Sequence, residues 1–120
     1  MTPDAESPVR DAVTALFVPG DRPDRFAKAA AAGADVVIID LEDAVSPDRR
    51  SYALEQATAA LRSADPARPT LHALVRVTDA ASSTHGEEVD RLVDLARHPG
   101  HGLIGTVFRD EDVFVEPQLG

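Results

Sequence analysis

Val36-Val37-Ile38-Ile39-Asp40-Leu41-Glu42-Asp43 decides how this chain is read. Four consecutive β-branched residues without alternation predict a strand buried on both faces, as in a parallel sheet covered by helices. The strand runs straight into three carboxylates. Side chains alternate along a strand, so Asp40 and Glu42 are expected on one face, with Leu41 and Asp43 on the other. The carboxyl ends of parallel strands are where α/β folds place their ligands. Two readings of the acids stay open. They solvate a strand end and cap the next helix, or they gather round a cation or basic partner that relieves their repulsion.

Upstream, residues 13–18 read as a short strand stopped by Pro19-Gly20. Pro23, Asp24 and the Ala-rich run through Ala32 predict a helix, with Gly33 as its stop. Strand, helix and strand form a βαβ unit, which is right-handed. Downstream, Ser46 is a candidate N-cap with Pro47 and Asp48 in the first turn, and the helix ends near Arg62 or Ser63. A loop at 65–69 leads to a third strand over 71–77. After a polar loop at 79–85, residues 87–97 form an amphipathic helix with Val89, Leu92, Val93 and Ala96 as its apolar stripe. Pro99-Gly100 ends it before a fourth strand over 103–108. The order β-α-β-α-β-α-β predicts one parallel α/β domain over 13–108. It is flanked by a flexible N-terminus, 1–12, and an irregular tail, 109–120, which admits at most a short strand at 113–115.

Composition narrows the chemistry. With 43% hydrophobic but only 4% aromatic residues, the core must be built from aliphatic side chains. A net charge of −9 argues against nucleic acid or an anionic membrane as partner. The absence of cysteine excludes disulfides and thiolate chemistry. Lys28, the only lysine, falls in the Ala-rich helix and reads as a surface residue rather than a Schiff base. No apolar run reaches membrane-spanning length and no signal-peptide core is evident, so a cytoplasmic location is expected. The four histidines lack zinc-site helix spacing.

Three strand ends carry the candidate site: Pro19-Gly20, Asp40 to Asp43, and Arg76-Val77-Thr78. In a parallel sheet they share one edge and can converge. Clustered carboxylates suit a hard cation, directly or through water. An arginine on the neighbouring strand suits a substrate carboxylate, or an ion pair with the acids themselves; the two readings are compatible. Together a metal and a carboxylate clamp equip a site to stabilise an enolate. Pro19-Gly20 permits close backbone approach to a ligand, and equally makes a plain turn.

Leu16-Phe17-Val18-Pro19-Gly20-Asp21-Arg22-Pro23-Asp24-Arg25-Phe26, then Lys28-Ala29, Gly33-Ala34-Asp35, Asp40-Leu41-Glu42-Asp43-Ala44-Val45 and Val75-Arg76-Val77, resemble the HpcH/HpaI aldolase group, the citrate lyase beta-subunit-like CoA-ester lyases. The resemblance implies a TIM (β/α)8 barrel, a magnesium ion (Mg2+), and carbon–carbon cleavage of an acyl-CoA or related hydroxy or oxo acid through a magnesium-stabilised enolate. It implies that Arg76 binds the substrate carboxylate, that Pro19 and Gly20 border the same mouth, and that Glu42 and Asp43 stand beside the metal and its waters. The direct metal ligands, a glutamate and an aspartate on later strands, are expected to be absent. Val13 stands where the family usually has arginine, Thr78 where it has asparagine, and Phe108-Arg109 where it has Pro-Lys. A full barrel needs roughly 250 residues, so the expected fold is its first half, truncated after about four strands. That expectation carries three functions: part of a lyase; a non-catalytic half-barrel that pairs with itself, as a homo-oligomer, or with a partner chain; or a small flavodoxin-like binding domain.

Overall fold

The computed structural model describes residues 14–62, 70–109 and 112–115. Five strands make one sheet in the order of the sequence: β1 (Ala15–Pro19), β2 (Val36–Asp40), β3 (Ala73–Arg76), β4 (Leu103–Arg109) and β5 (Asp112–Val115). β1 to β4 pair in parallel, whereas β5 folds back antiparallel on β4. Three helices make the crossovers: α1 (Phe26–Ala31), α2 (Arg50–Leu61) and α3 (His85–Ala96). Short 3-10 turns at Pro23–Arg25 and Pro47–Arg49 lead into α1 and α2.

Repeated right-handed crossovers in one direction put all helices on one face of the sheet. The packing agrees. Val37, Ile39, Ala73, Val75 and Leu103 join Phe26, Ala29, Ala53, Leu54, Ala57, Leu61, Leu92 and Leu95 in the main core. Ile38, Leu74 and Val107 cluster separately, on the opposite face. β2 is therefore buried on both faces, as its unbroken Val/Ile run requires. A strand order without reversal, with helices on one side, is that of consecutive units of a (β/α)8 barrel, and the helix-free face corresponds to the barrel interior. A flavodoxin-like sheet reverses its strand order and covers both faces; that alternative is excluded.

Several local expectations need correction. Ser46 is extended at the N-cap of the 3-10 turn but makes no capping bond. Its hydroxyl donates to the Asp48 carboxylate at 2.7 Å. In α3 the buried face is Glu88, Leu92 and Leu95, and Val93 is 49% exposed. The apolar stripe was misphased because a carboxylate occupies the core-facing position at 88. The short strand admitted at 113–115 is present, as β5 over Asp112–Val115. Gly33 has φ +87°, the left-handed geometry expected of a helix stop. The expected flexible segment 1–12, Val13, the loop at 65–69 and the tail beyond 115 lie outside the described residues. Among the described residues no helix is long and apolar enough to cross a membrane.

Candidate functional site

The strand register builds the site. Pro19 lies opposite Asp40, and Asp40 lies opposite Arg76, all at the carboxyl ends of their strands. Asp40 and Arg76 share the helix-free face, two residues beyond the apolar pair Ile38 and Leu74. Facing each other, they form a two-point ion pair. Arg76 Nε donates to Asp40 Oδ1 at 3.0 Å and Arg76 Nη2 to Asp40 Oδ2 at 2.7 Å. The side chains are only 9% and 3% exposed. Phe17 of β1 lies under the guanidinium, 5.1 Å from ring centre to Cζ, a cation–π contact.

Asp40 does more than neutralise Arg76. Its Oδ1 also accepts the Glu42 N–H at 2.8 Å, and its Oδ2 the Ala44 N–H at 3.1 Å. Two donors reach each oxygen, which fills the carboxylate's ordinary acceptor capacity. The chain leaves the strand after Asp40 and turns about this carboxylate. Expected alternation of the acids therefore stops one residue early. Leu41 still points into the core, but Glu42 and Asp43 both come to Arg76, Glu42 Oε1 4.0 Å from Nε and Asp43 Oδ2 3.4 Å from Nη2.

The electrostatics split the acids. Burial pushes the Asp40 carboxyl up, but bonds from Arg76 and from the Glu42 and Ala44 amides, with the Arg76 charge, outweigh burial and hold it below its ordinary 3.8. Glu42 is raised above its ordinary 4.5 by burial first, then by the charges of Asp43 and Asp40, with Arg76 opposing. Asp43 reaches into solvent at 73% exposure.

Gly20 and Pro19 part company. A Cβ on Gly20 would stand 2.8 Å from Leu41 Cδ2 and 3.0 Å from Ala53 Cβ, so the missing side chain makes room for the core and α2. Pro19 instead lines an open cleft of about 520 Å³ with Phe17, Arg22, Arg25 and Lys28. The loops above β1 and β2 are tied by Arg49 Nε donating to Asp21 at 2.8 Å.

Thr78 turns away from the mouth. It is 1% exposed and its hydroxyl and N–H both donate to Glu88, the hydroxyl at 3.0 Å and the N–H at 2.7 Å. The Thr84 hydroxyl donates to the other Glu88 oxygen at 2.7 Å. One buried carboxylate thus closes both ends of the β3–α3 loop. His85 Nδ1 lies 2.7 Å from the Thr78 carbonyl oxygen.

Glu88 is the organising residue that the sequence did not single out. Asp40 stood among the candidate acids, and the ion pair left open for Arg76 forms with it, because the register sets the two opposite each other. Among the described residues, no three His, Asp or Glu side chains are grouped to hold a metal ion. With Asp40 saturated, Glu42 and Asp43 are too few by themselves to hold a metal ion.

Known proteins resemble this chain in sequence and fold. The family model for HpcH/HpaI aldolase/citrate lyase matches residues 13–99. A citrate lyase subunit beta-like protein of Mycobacterium tuberculosis is 42% identical over 83 residues, 68% of this chain and 27% of that protein. An L-malyl-CoA/beta-methylmalyl-CoA lyase of Cereibacter sphaeroides is 39% identical over 72 residues, 60% of this chain and 23% of its own length. The crystal structure of protein CitE from Mycobacterium tuberculosis in complex with magnesium, acetoacetate and coenzyme A superposes with a TM-score of 0.54 at 39% identity, covering 70% of this chain and 29% of that one. The chain spans about a quarter of the length of these curated relatives. With the family match running from the first strand through the third helix, and the parallel strand ends carrying its motifs, this chain belongs to the HpcH/HpaI aldolase/citrate lyase family.

Proposed function

We propose that this chain supplies the first-half wall of a carbon–carbon lyase site acting on a CoA thioester or a related hydroxy or oxo acid. The observation that carries the reading is the convergence of Arg76 with Glu42 and Asp43 at one strand-end mouth, a cation for a substrate carboxylate beside acids for a metal's waters. Asp40 occupies the Nε–Nη2 edge of Arg76, so a ligand carboxylate would not meet the guanidinium along that edge. Magnesium, bound in related CitE together with acetoacetate and coenzyme A, supplies positive charge where negative charge develops on the substrate. Its direct ligands are proposed to come from outside this chain, with Glu42 and Asp43 orienting its waters. The cleft beside Pro19 carries Arg25 and Lys28 on its walls, with Arg22 there held by Asp24 through two bonds of 3.1 Å, and its remaining positive charge suits the anionic carrier of a CoA ester.

Acetoacetate titrated into the chain and followed by NMR tests the carboxylate clamp. Arg76→Ala should weaken binding about tenfold or more, the scale of a lost charge-assisted pair, and Lys28→Ala should weaken it much less. Equal effects would remove the assignment.

A second reading is a non-catalytic half-barrel that pairs with a second copy or another chain. It is favoured by β1, which among the described residues pairs only with β2, and by Phe17, 47% exposed on the same edge. An open edge of this kind invites a further strand.

A further inference from the structure

Asp40 joins two parts of the mouth, the guanidinium of Arg76 and the backbone of the turn that follows β2. One side of its carboxylate grips the guanidinium of Arg76, and the same two oxygens hold the backbone amides of Glu42 and Ala44. Each oxygen is shared, one donor from Arg76 and one from the turn. A movement of the guanidinium therefore cannot leave the turn untouched, because both compete for one rigid group buried to 3% exposure. Arg76 also contacts Asp43 at 3.4 Å, on the turn itself.

We infer that Asp40 is a positioning residue that couples the carboxylate clamp at Arg76 to the acidic turn carrying Glu42 and Asp43, so that a ligand drawn to one is registered against the other. This deepens the proposed lyase reading and rests on it only where a ligand is invoked. The coupling itself is a property of the free chain. Asp40 touches no substrate in this scheme. It fixes which edge of Arg76 is presented and how far the turn stands from it.

Hydrogen exchange in the unliganded chain tests the coupling directly. The Arg76 Nε–H and the Glu42 and Ala44 amides should open as one unit, with exchange protection agreeing within about threefold. Protection that differs by tenfold or more between Arg76 and the two amides overturns the coupling, whatever the chain binds. Arg76→Lys keeps the charge but loses the two-point grip, and should speed exchange at Glu42 and Ala44 about tenfold while the exposed Glu55→Gln change on α2 does not. Unchanged exchange in a folded Arg76→Lys protein is a second refutation. If that variant fails to fold, the wild-type comparison still decides. In the ligand arm, acetoacetate should shift the Arg76 Nε–H and the two amides with a single binding curve. In Asp40→Asn the amide shifts should fall away while any Arg76 response persists. A response at Arg76 without one at the wild-type amides refutes the coupling. No response at Arg76, with the three hydrogens still opening together, refutes the lyase reading and leaves the coupling supported.

Discussion

Asp40 is fully enclosed by donors, and its removal takes from a buried guanidinium its two-point partner. Breaking one side of a buried ion pair costs about 3–5 kcal/mol, so Asp40→Ala should lose stability on that scale in urea unfolding, and Asp40→Asn less. The pH dependence follows from direction. The Asp40 carboxyl is held below 3.8 in the folded chain, so its contribution is complete above that pH and is lost as pH falls through the lower folded value. Glu42 runs the other way. Its folded value is raised above 4.5, so the contribution favours folding below 4.5 and is lost as pH rises through the raised value. Thermal melts should show Glu42→Gln gaining stability over wild type at pH 7, with the difference shrinking at pH 4, and Asp40→Asn losing the acid limb below 3.8. A Glu42→Gln melt that is lower at pH 7 would contradict the crowding of acids around it. The residue identities at the mouth were legible from sequence because strand ends concentrate them. The roles were not. Alternation assigns faces only while the chain remains a strand, and here it stops at Asp40.

At the level of the elements, close backbone approach decides two positions. Gly102 donates its N–H to the Leu61 carbonyl at 2.8 Å and accepts from Ala73, and a Cβ there would collide with the Leu71 carbonyl oxygen. The obstacle is backbone, so Gly102→Ala should cost about 3 kcal/mol or more. Gly20→Ala meets a Leu41 methyl that can yield, but also the Ala53 Cβ at 3.0 Å and the Asp40 carbonyl oxygen at 3.2 Å, which can shift only with the backbone, and should cost about 1–3 kcal/mol. Comparable losses in chemical denaturation for the two variants would show the neighbours of Gly102 to be mobile. On α3, Glu88→Ala leaves the buried Thr78 N–H without its acceptor, a cost of about 1–3 kcal/mol, whereas Glu88→Gln retains an acceptor and should cost less. Helix positions were readable from proline, glycine and alanine punctuation. The face of α3 was not, since a glutamate on an amphipathic helix ordinarily meets water. The Thr84-to-Glu87 spacing even resembles a capping box, while Glu88 makes the bonds.

For the whole molecule, the alternation of strands and helices made the parallel sheet legible, and the unreversed order of β1 to β4 confirms it. Handedness places the helices on one face, and the motifs at the strand ends then had only one edge to occupy. The antiparallel β5 was scarcely readable, because its few apolar residues sit among acids and carry no period. Incubated with magnesium and malyl-CoA, the chain alone should release little product, because the described residues do not complete a metal shell. Robust turnover would show that it assembles a full site. Sedimentation tests the paired half-barrel, and a folded monomer at all accessible concentrations would count against it.

The return of β5 along β4 makes the sheet polar in its capacity to grow. Every strand added through a right-handed helix crossover must arrive parallel, yet the outer side of β4 is already bonded to a strand running the other way. That hairpin is a stopper. Among the described residues β1 has no second strand partner, whereas a chain completing a barrel could reach β4 only by strand exchange, expelling a four-residue tenant. Assembly at that margin would then need displacement before docking, and would be the slower of the two.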